Sequence, residues 1–210
     1  MARRTFLILT HRTTGYGDFS LNDMPGSGGR IDIAARSITA ALAVSHGVRR
    51  DTEVVVYLSR PRNMYIRVEG ATVKYLNPDE RSTGALLRNA MVKYWKRGGG
   101  KGEEFRASPG IYAGERPLEE YLQSLLPGEL VYLHEDGEDI GGTVFQGDRV
   151  SFILSDHMNP TRHEEDLIRK YSTRTVSLGP VVEQTNHCIS VIHNHLDRTV
   201  HSRDEPHGRS

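Results

Sequence analysis

Short apolar runs and longer amphipathic stretches alternate along the chain. Five runs are short, rich in branched residues and bounded by turn formers: "TFLILT" (Thr5–Thr10), "EVVVYLS" (Glu53–Ser59), "LVYLHE" (Leu130–Glu135), "VSFILS" (Val150–Ser155) and "RTVSLG" (Arg174–Gly179). That pattern predicts buried strands. Tyr65–Leu76, "YIRVEGATVKYL", predicts a hairpin or a pair of edge strands. Ile31, Ala34, Ala35, Ile38, Ala41 and Leu42 mark one face of a helix over Ile31–Ser45, with Gly47 as its stop. Further helices are predicted over Arg81–Lys96, with Asp79 as N-cap, Leu118–Leu126 and Glu164–Tyr171. Cys188, Val191, Ile192, His195 and Leu196 fall on one face of a last helix that begins near Cys188. Alternating strand and helix predicts an α/β fold, a mainly parallel sheet flanked by helices. "RGGGKGEEFRASPG" (Arg97–Gly110) reads as a flexible loop with predicted strands on both sides, so residues 1–198 are expected to form a single domain. Residues 199–210 read as a disordered polar tail.

Composition narrows the class. At 210 residues the chain can bury a real core, and 26% charged residues mark a water-soluble protein. No apolar run approaches membrane-spanning length. "FLIL" near the N-terminus is too short for a secretory core, and the lone Cys188 suits a reducing compartment, so the expected location is cytoplasmic. The net charge of zero hides an asymmetry. Residues 1–106 carry 18 Lys+Arg against 10 Asp+Glu, a net +8, and the remainder carry 9 against 17, a net −8. Chance plus solvated arginine faces is one reading. A basic half that meets a polyanion is the other.

"TVSLGPVVEQTNHCISVIHNHLDR" (Thr175–Arg198) concentrates the chemistry. His193 and His195 point about 200° apart around a helix and cannot grip one ion, and no further soft or imidazole ligands stand at zinc spacing. No metal is expected. His187, adjacent to Cys188, is poorly aimed to act as its base. Cys188 is then a buried core thiol, or part of a pocket wall with the Gly179-Pro180 loop, since α/β sheets bind ligands at the carboxyl ends of their strands. "MPGSGGRID" (Met24–Asp32) lacks the Lys-Ser/Thr of a P-loop, yet its glycines allow close backbone approach at a helix start, with Arg30 and Arg36 around it.

Seven blocks extend these signals: "FSLNDMPGSGGRIDI", "YLNPDERS", "SPGIY", "YLHEDGEDI", "FILSDH", "VSLGP" and "NHCISVIHNHLDR". In order and spacing the chain resembles the archaeal tRNA pseudouridine-54 N1-methyltransferases, the TrmY family of the SPOUT methyltransferases. The resemblance covers Phe19 to Arg198. It implies a SPOUT-type fold with a C-terminal trefoil knot, a homodimer, S-adenosylmethionine as cofactor and tRNA as substrate. Carried over residue by residue, it places Leu133, Ser155, Leu178, Gly179, Pro180, Val181, Val182 and Cys188 around the cofactor. Ser155 stands where the family usually has glycine. Asp32 is the candidate acceptor of the pseudouridine N1 proton, and Arg30, Arg36 and Arg81 are the candidate RNA contacts. A related enzyme acting on ribosomal RNA, a non-catalytic RNA-binding module and a histidine-dependent hydrolase are the competing readings.

Overall fold

The computed structural model describes residues 3–60, 62–100 and 103–204. Its strands are β1 (Arg3–Thr10), β2 (Ala43–Val44), β3 (Gly47–Val48), β4 (Thr52–Leu58), β5 (Met64–Glu69), β6 (Phe105–Ser108), β7 (Ile111–Glu115), β8 (Glu129–Asp139), β9 (Arg149–Ser155) and β10 (Arg174–Ser177). Its α-helices are α1 (Met24–Ser27), α2 (Ile31–Leu42), α3 (Glu80–Lys96), α4 (Leu118–Ser124), α5 (Arg162–Tyr171) and α6 (Thr185–Asp204). Eight strands form one sheet in the order β10-β8-β9-β1-β4-β5-β7-β6, and β2 with β3 makes a separate small hairpin. The first five run parallel, from β10 to β4. The last three join antiparallel.

Period-two alternation sends successive side chains to opposite faces of the sheet. Phe6, Ile8, Val54, Val56 and Phe152 meet α2, α3 and α6 on one face. Leu7, Leu9, Val55, Tyr57 and Ile153 meet α4 and α5 on the other. β4 is buried along its whole length, which is why its run reads as continuously apolar. Each fully buried Leu or Ile of this kind contributes roughly 1.5–3 kcal/mol.

The five predicted strands and five predicted helices stand within a few residues of their expected places, and Asp79 caps α3 by accepting the Ser82 N–H at 2.8 Å. Four expectations are corrected. The predicted pair over Tyr65–Leu76 yields one strand, β5, and that strand is internal. Past Glu69 the chain turns, the Val73 N–H donating back to the Glu69 carbonyl. The partner of β5 is β7, and the hairpin β6–β7 occupies the end of the predicted flexible loop, turning at Pro109-Gly110. α2 stops at Leu42 because Ala43 and Val44 turn into the β2–β3 hairpin. α6 continues through Thr199 to Asp204, where the polar tail was expected to begin. Extending an anchored helix adds hydrogen bonds without a new nucleation cost. Residues 205–210 of that expected tail lie outside the described residues.

Buried polar groups fix α6 against the sheet. Arg4 donates to His193 Nδ1 at 3.0 Å, and His193 Nε2–H donates to the Ala41 carbonyl at 2.9 Å. One imidazole thus ties β1, α2 and α6 together. Arg4 and Arg49 both reach the Asp197 carboxylate at 2.7 Å.

Candidate active site at the carboxyl edge of the sheet

Parallel strands end together, and two cavities lie side by side along that edge. The first, of about 260 Å³, is walled by the middle of β8, by the ends of β9 and β10 with the loops that follow them, and by the start of α6. The second is an open basin of about 800 Å³ beyond the ends of β1 and β4, closed by the glycine-rich stretch before α2.

Irregular strand pairing creates the first cavity. β8 and β10 pair at Tyr132↔Thr175, and the register then jumps to Glu138↔Val176. On its other side β8 pairs with β9 only as far as Tyr132↔Ile153. Leu133–Gly137 therefore bulge out of the ladder, and Leu133, His134 and Glu135 line the cavity. Gly137 lets the strands close again beyond the bulge: a Cβ there would lie 2.5 Å from the Val176 backbone. Gly179, at φ 127°, turns the opposite wall and would leave a Cβ in open space. Val181 and Val182 follow it, 68% and 81% exposed. Thr185 fastens this loop to β9, its hydroxyl donating to the Ser155 carbonyl at 2.7 Å.

Of the residues assigned to the cofactor by resemblance, Leu133, Ser155, Leu178, Gly179, Val181, Val182 and Cys188 line this cavity. Pro180 shares their loop without lining it. Ser155 turns its hydroxyl into its own loop, donating to the Met158 carbonyl, and so leaves the cavity to its backbone. Burial first, and the Glu183 charge second, hold the Cys188 thiol above its ordinary pKa. Sequence reasoning missed Asp156, Asn159 and Thr185, which also face the cavity. The signal for Asp156 and Asn159 was the polar "SDHMNP" loop directly after a strand. These walls fit S-adenosylmethionine: strand-free backbone can pair with a purine edge, apolar side chains can cover its faces, and Glu183 suits the cationic end.

The second cavity is basic. Arg12, Arg30 and Arg60 line it with His11, His157 and Tyr16. Among the described residues Arg12 and Arg60 have no ion-pair partner, and Tyr16 is 46% exposed with its ring 5.3 Å from that of Trp95. Arg30 reaches this cavity from a left-handed backbone conformation at φ 70°. Asp32 lies behind it, 1% exposed. Arg30 donates to both Asp32 oxygens at 3.0 and 3.1 Å, and Arg36 approaches Oδ2 at 2.9 Å. Burial opposes the Asp32 charge, but the Arg30 hydrogen bonds and the two guanidinium charges outweigh it and hold the carboxyl below its ordinary pKa. A carboxylate so engaged aims arginines better than it accepts a proton. Arg36 also pairs with Glu80 at 3.1 Å, and Arg81 is tied to Leu21 and Asn22. Neither lines either of these two cavities. Arg12, Arg60 and Tyr16 escaped the sequence reading because nothing local marks a strand end as neighbour to another.

Comparison with known proteins now bears on this edge. Residues 3–201 match a family described as "Putative SAM-dependent RNA methyltransferase". The tRNA (pseudouridine(54)-N(1))-methyltransferase of Methanococcoides burtonii is 41% identical over 207 residues, covering 96% of this chain and 100% of its own. That of Halobacterium salinarum is 39% identical, covering 92% and 96%. The chain belongs to the tRNA (pseudouridine(54)-N(1))-methyltransferase family. Its fold is that of the SPOUT methyltransferases. Archaeoglobus fulgidus Nep1, solved bound to S-adenosylhomocysteine, superposes with a TM-score of 0.64 at 13% identity, covering 96% of this chain and 100% of that one. Among the described residues no helix is long and apolar enough to cross a membrane.

Proposed function

We propose that the protein methylates N1 of pseudouridine-54 in tRNA with S-adenosylmethionine as donor. The observation that carries this reading is the end-to-end likeness to enzymes of that name at about 40% identity. The two adjoining cavities give the reaction its geometry. When bound, the cofactor supplies an electrophilic methyl on a sulfonium. The chain's part is to hold the acceptor nitrogen in line with it and to ease loss of the N1 proton. Leu133, Ser155, Leu178–Val182 and Cys188 are the proposed cofactor contacts. Arg12, Arg30 and Arg60 are placed to meet phosphates or the anionic face of the uracil ring, and Tyr16 to stack on a base. A guanidinium beside that ring stabilises its anion and so makes N1–H more acidic. Asp32 serves by holding Arg30 and Arg36 in place. Arg36 and Arg81 then support the RNA face from behind.

The finer points belong to the same proposal. Residues 1–198 act as one domain, since one apolar cluster joins Phe6 to Leu196. A homodimer would cover the exposed Val181, Val182 and Met158 beside the cofactor cavity. The trefoil knot is supported by the path of the C-terminal segment. From edge strand β10 it crosses to the end of β9, and α6 then packs against α2 and the Thr143–Phe145 loop. The cytoplasm is where tRNA and the cofactor meet.

Two transcripts test the reading. In uridine N1 is the glycosidic nitrogen and carries no hydrogen, whereas in pseudouridine N1–H is free. A tRNA transcript with uridine at position 54 is expected to accept no methyl group, and the same transcript treated with a pseudouridine synthase to accept one. Comparable methylation of both, followed by mass spectrometry of the nucleosides, would overturn the assignment.

A further inference from the structure

At the end of β1, His11 is nearly enclosed, its side chain 8% exposed. Its backbone N–H donates to Asp156 Oδ2 at 3.0 Å. Its ring Nδ1 lies 3.1 Å from Asp156 Oδ1, and Nε2 lies 3.2 Å from Glu164 Oε2. A neutral imidazole has one N–H, so both contacts are hydrogen bonds only when the ring carries both protons. The geometry therefore demands an imidazolium. In agreement, the hydrogen bonds to Asp156 and Glu164 outweigh burial and raise the His11 pKa to about 9.

Each carboxylate is anchored in turn. Asp156 accepts the Met158 N–H at 2.9 Å. Glu164 accepts the Ser59 hydroxyl at 2.6 Å and the Thr161 N–H and hydroxyl at 2.8 Å each. One ring thus joins the end of β1, the residue after β4, the Ser155–Thr161 loop and the start of α5. The same loop supplies Ser155, Asp156, Asn159 and Pro160 to the cofactor cavity, while His11 faces the basic one.

We infer that His11 is a positioning residue for methyl transfer: as a buried cation between Asp156 and Glu164, it holds the Ser155–Thr161 loop as the wall shared by the two cavities. The inference rests on the S-adenosylmethionine reading above. The charged and titratable groups around the ring come from every packed element. Asp156 from the loop and Glu164 from α5 pair with the ring, His157 lies against Asp156, Arg12, Arg30 and Arg60 line the same basin from the residue after it, the start of α2 and the end of β4, and Tyr57 of β4 and Arg30 act on Glu164 and Asp156 in turn. Loss of the ring's second proton would set a lone pair against a carboxylate and loosen the loop. Cofactor affinity should accordingly hold steady below about pH 9 and fall as pH rises through that value.

The test uses the intact chain, with S-adenosylhomocysteine binding followed by calorimetry from pH 7 to pH 10. His11→Gln removes the charge and should weaken binding about ten-fold at pH 7, with the alkaline fall abolished. His11→Lys restores a cation and should recover most of the affinity, its alkaline fall displaced upward. In the wild-type chain, imidazole ¹⁵N signals should show His11 doubly protonated at neutral pH, with a titration midpoint that rises when S-adenosylhomocysteine binds. This measurement stands even if His11→Gln does not fold. Wild-type affinity and pH profile in His11→Gln, or a His11 ring that titrates near 6.5, overturns the inference alone. Failure of the wild-type chain to bind S-adenosylhomocysteine at any pH overturns the cofactor reading and this inference with it.

Discussion

Cys188 Sγ lies 3.6 Å from the Glu183 carbonyl oxygen at the start of α6, on the rim of the smaller cavity. The sequence left two readings open for it, a core thiol or a pocket wall, because helical spacing gives the direction of a side chain but not what lies opposite. Its partial burial and the nearby Glu183 keep it mostly protonated at neutral pH, so it should react sluggishly with iodoacetamide. Saturating S-adenosylmethionine is expected to slow that reaction several-fold further, as read by mass spectrometry of the Cys188 peptide. Equal rates with and without cofactor would take the thiol out of the pocket wall. Asp32 teaches the opposite lesson. Its acidic character and its arginine neighbours were legible, but the bidentate hold of Arg30, which keeps the carboxyl below its ordinary pKa, was not.

At the scale of elements, legibility followed locality. β1, β4 and β9 announce themselves because apolar branched runs between turn formers have few alternatives, and α3 because Asp79 caps it. The β8 bulge, the β6–β7 hairpin and the termination of α2 depend on partners far along the chain. α6 is held by such a partner. His193 is 3% exposed and accepts from Arg4, so it must be neutral on Nδ1. Burial first, then the Arg49 and Arg4 charges, lower its pKa to about 4 from 6.5. Between those values the unfolded chain binds a proton that the folded chain refuses. Stability from this contact is therefore whole above pH 6.5 and declines as pH falls toward 4, by up to about 3 kcal/mol. Urea unfolding checks this. His193→Gln, which keeps an acceptor and a donor without titrating, should lose less stability than the wild-type chain between pH 7 and pH 4.5. Equal losses would show that His193 carries a proton in the fold.

At the carboxyl edge of the parallel strands, the division of charge seen in the sequence becomes a division of space. β10, β8 and β9, from the acidic half, form one end of the sheet, β1, β4 and β5, from the basic half, continue it, and β7, from the acidic half, lies beyond them. The cofactor cavity opens at the first group and the basic cavity at the second. Net charge could suggest a polyanion partner, but it could not say which arginines meet it, since several of them are spent on carboxylates. Arg4, Arg36, Arg49 and Arg67 are paired internally, and Arg81 is bound to Asn22. Arg12 and Arg60 line the basin with no ion-pair partner among the described residues. Phosphate contacts release counterions, and each one lost lowers the slope of log affinity against log salt by roughly 0.7–0.9. Arg12→Ala and Arg60→Ala should each weaken tRNA binding and flatten that slope by about this amount, leaving S-adenosylhomocysteine affinity unchanged. Arg81→Ala should weaken binding with little change in slope, because its guanidinium is already engaged. Filter binding across a salt series separates the cases. An unchanged slope in Arg12→Ala and Arg60→Ala, alongside a reduced one in Arg81→Ala, would move the RNA face from the basin to the outer surface of α3.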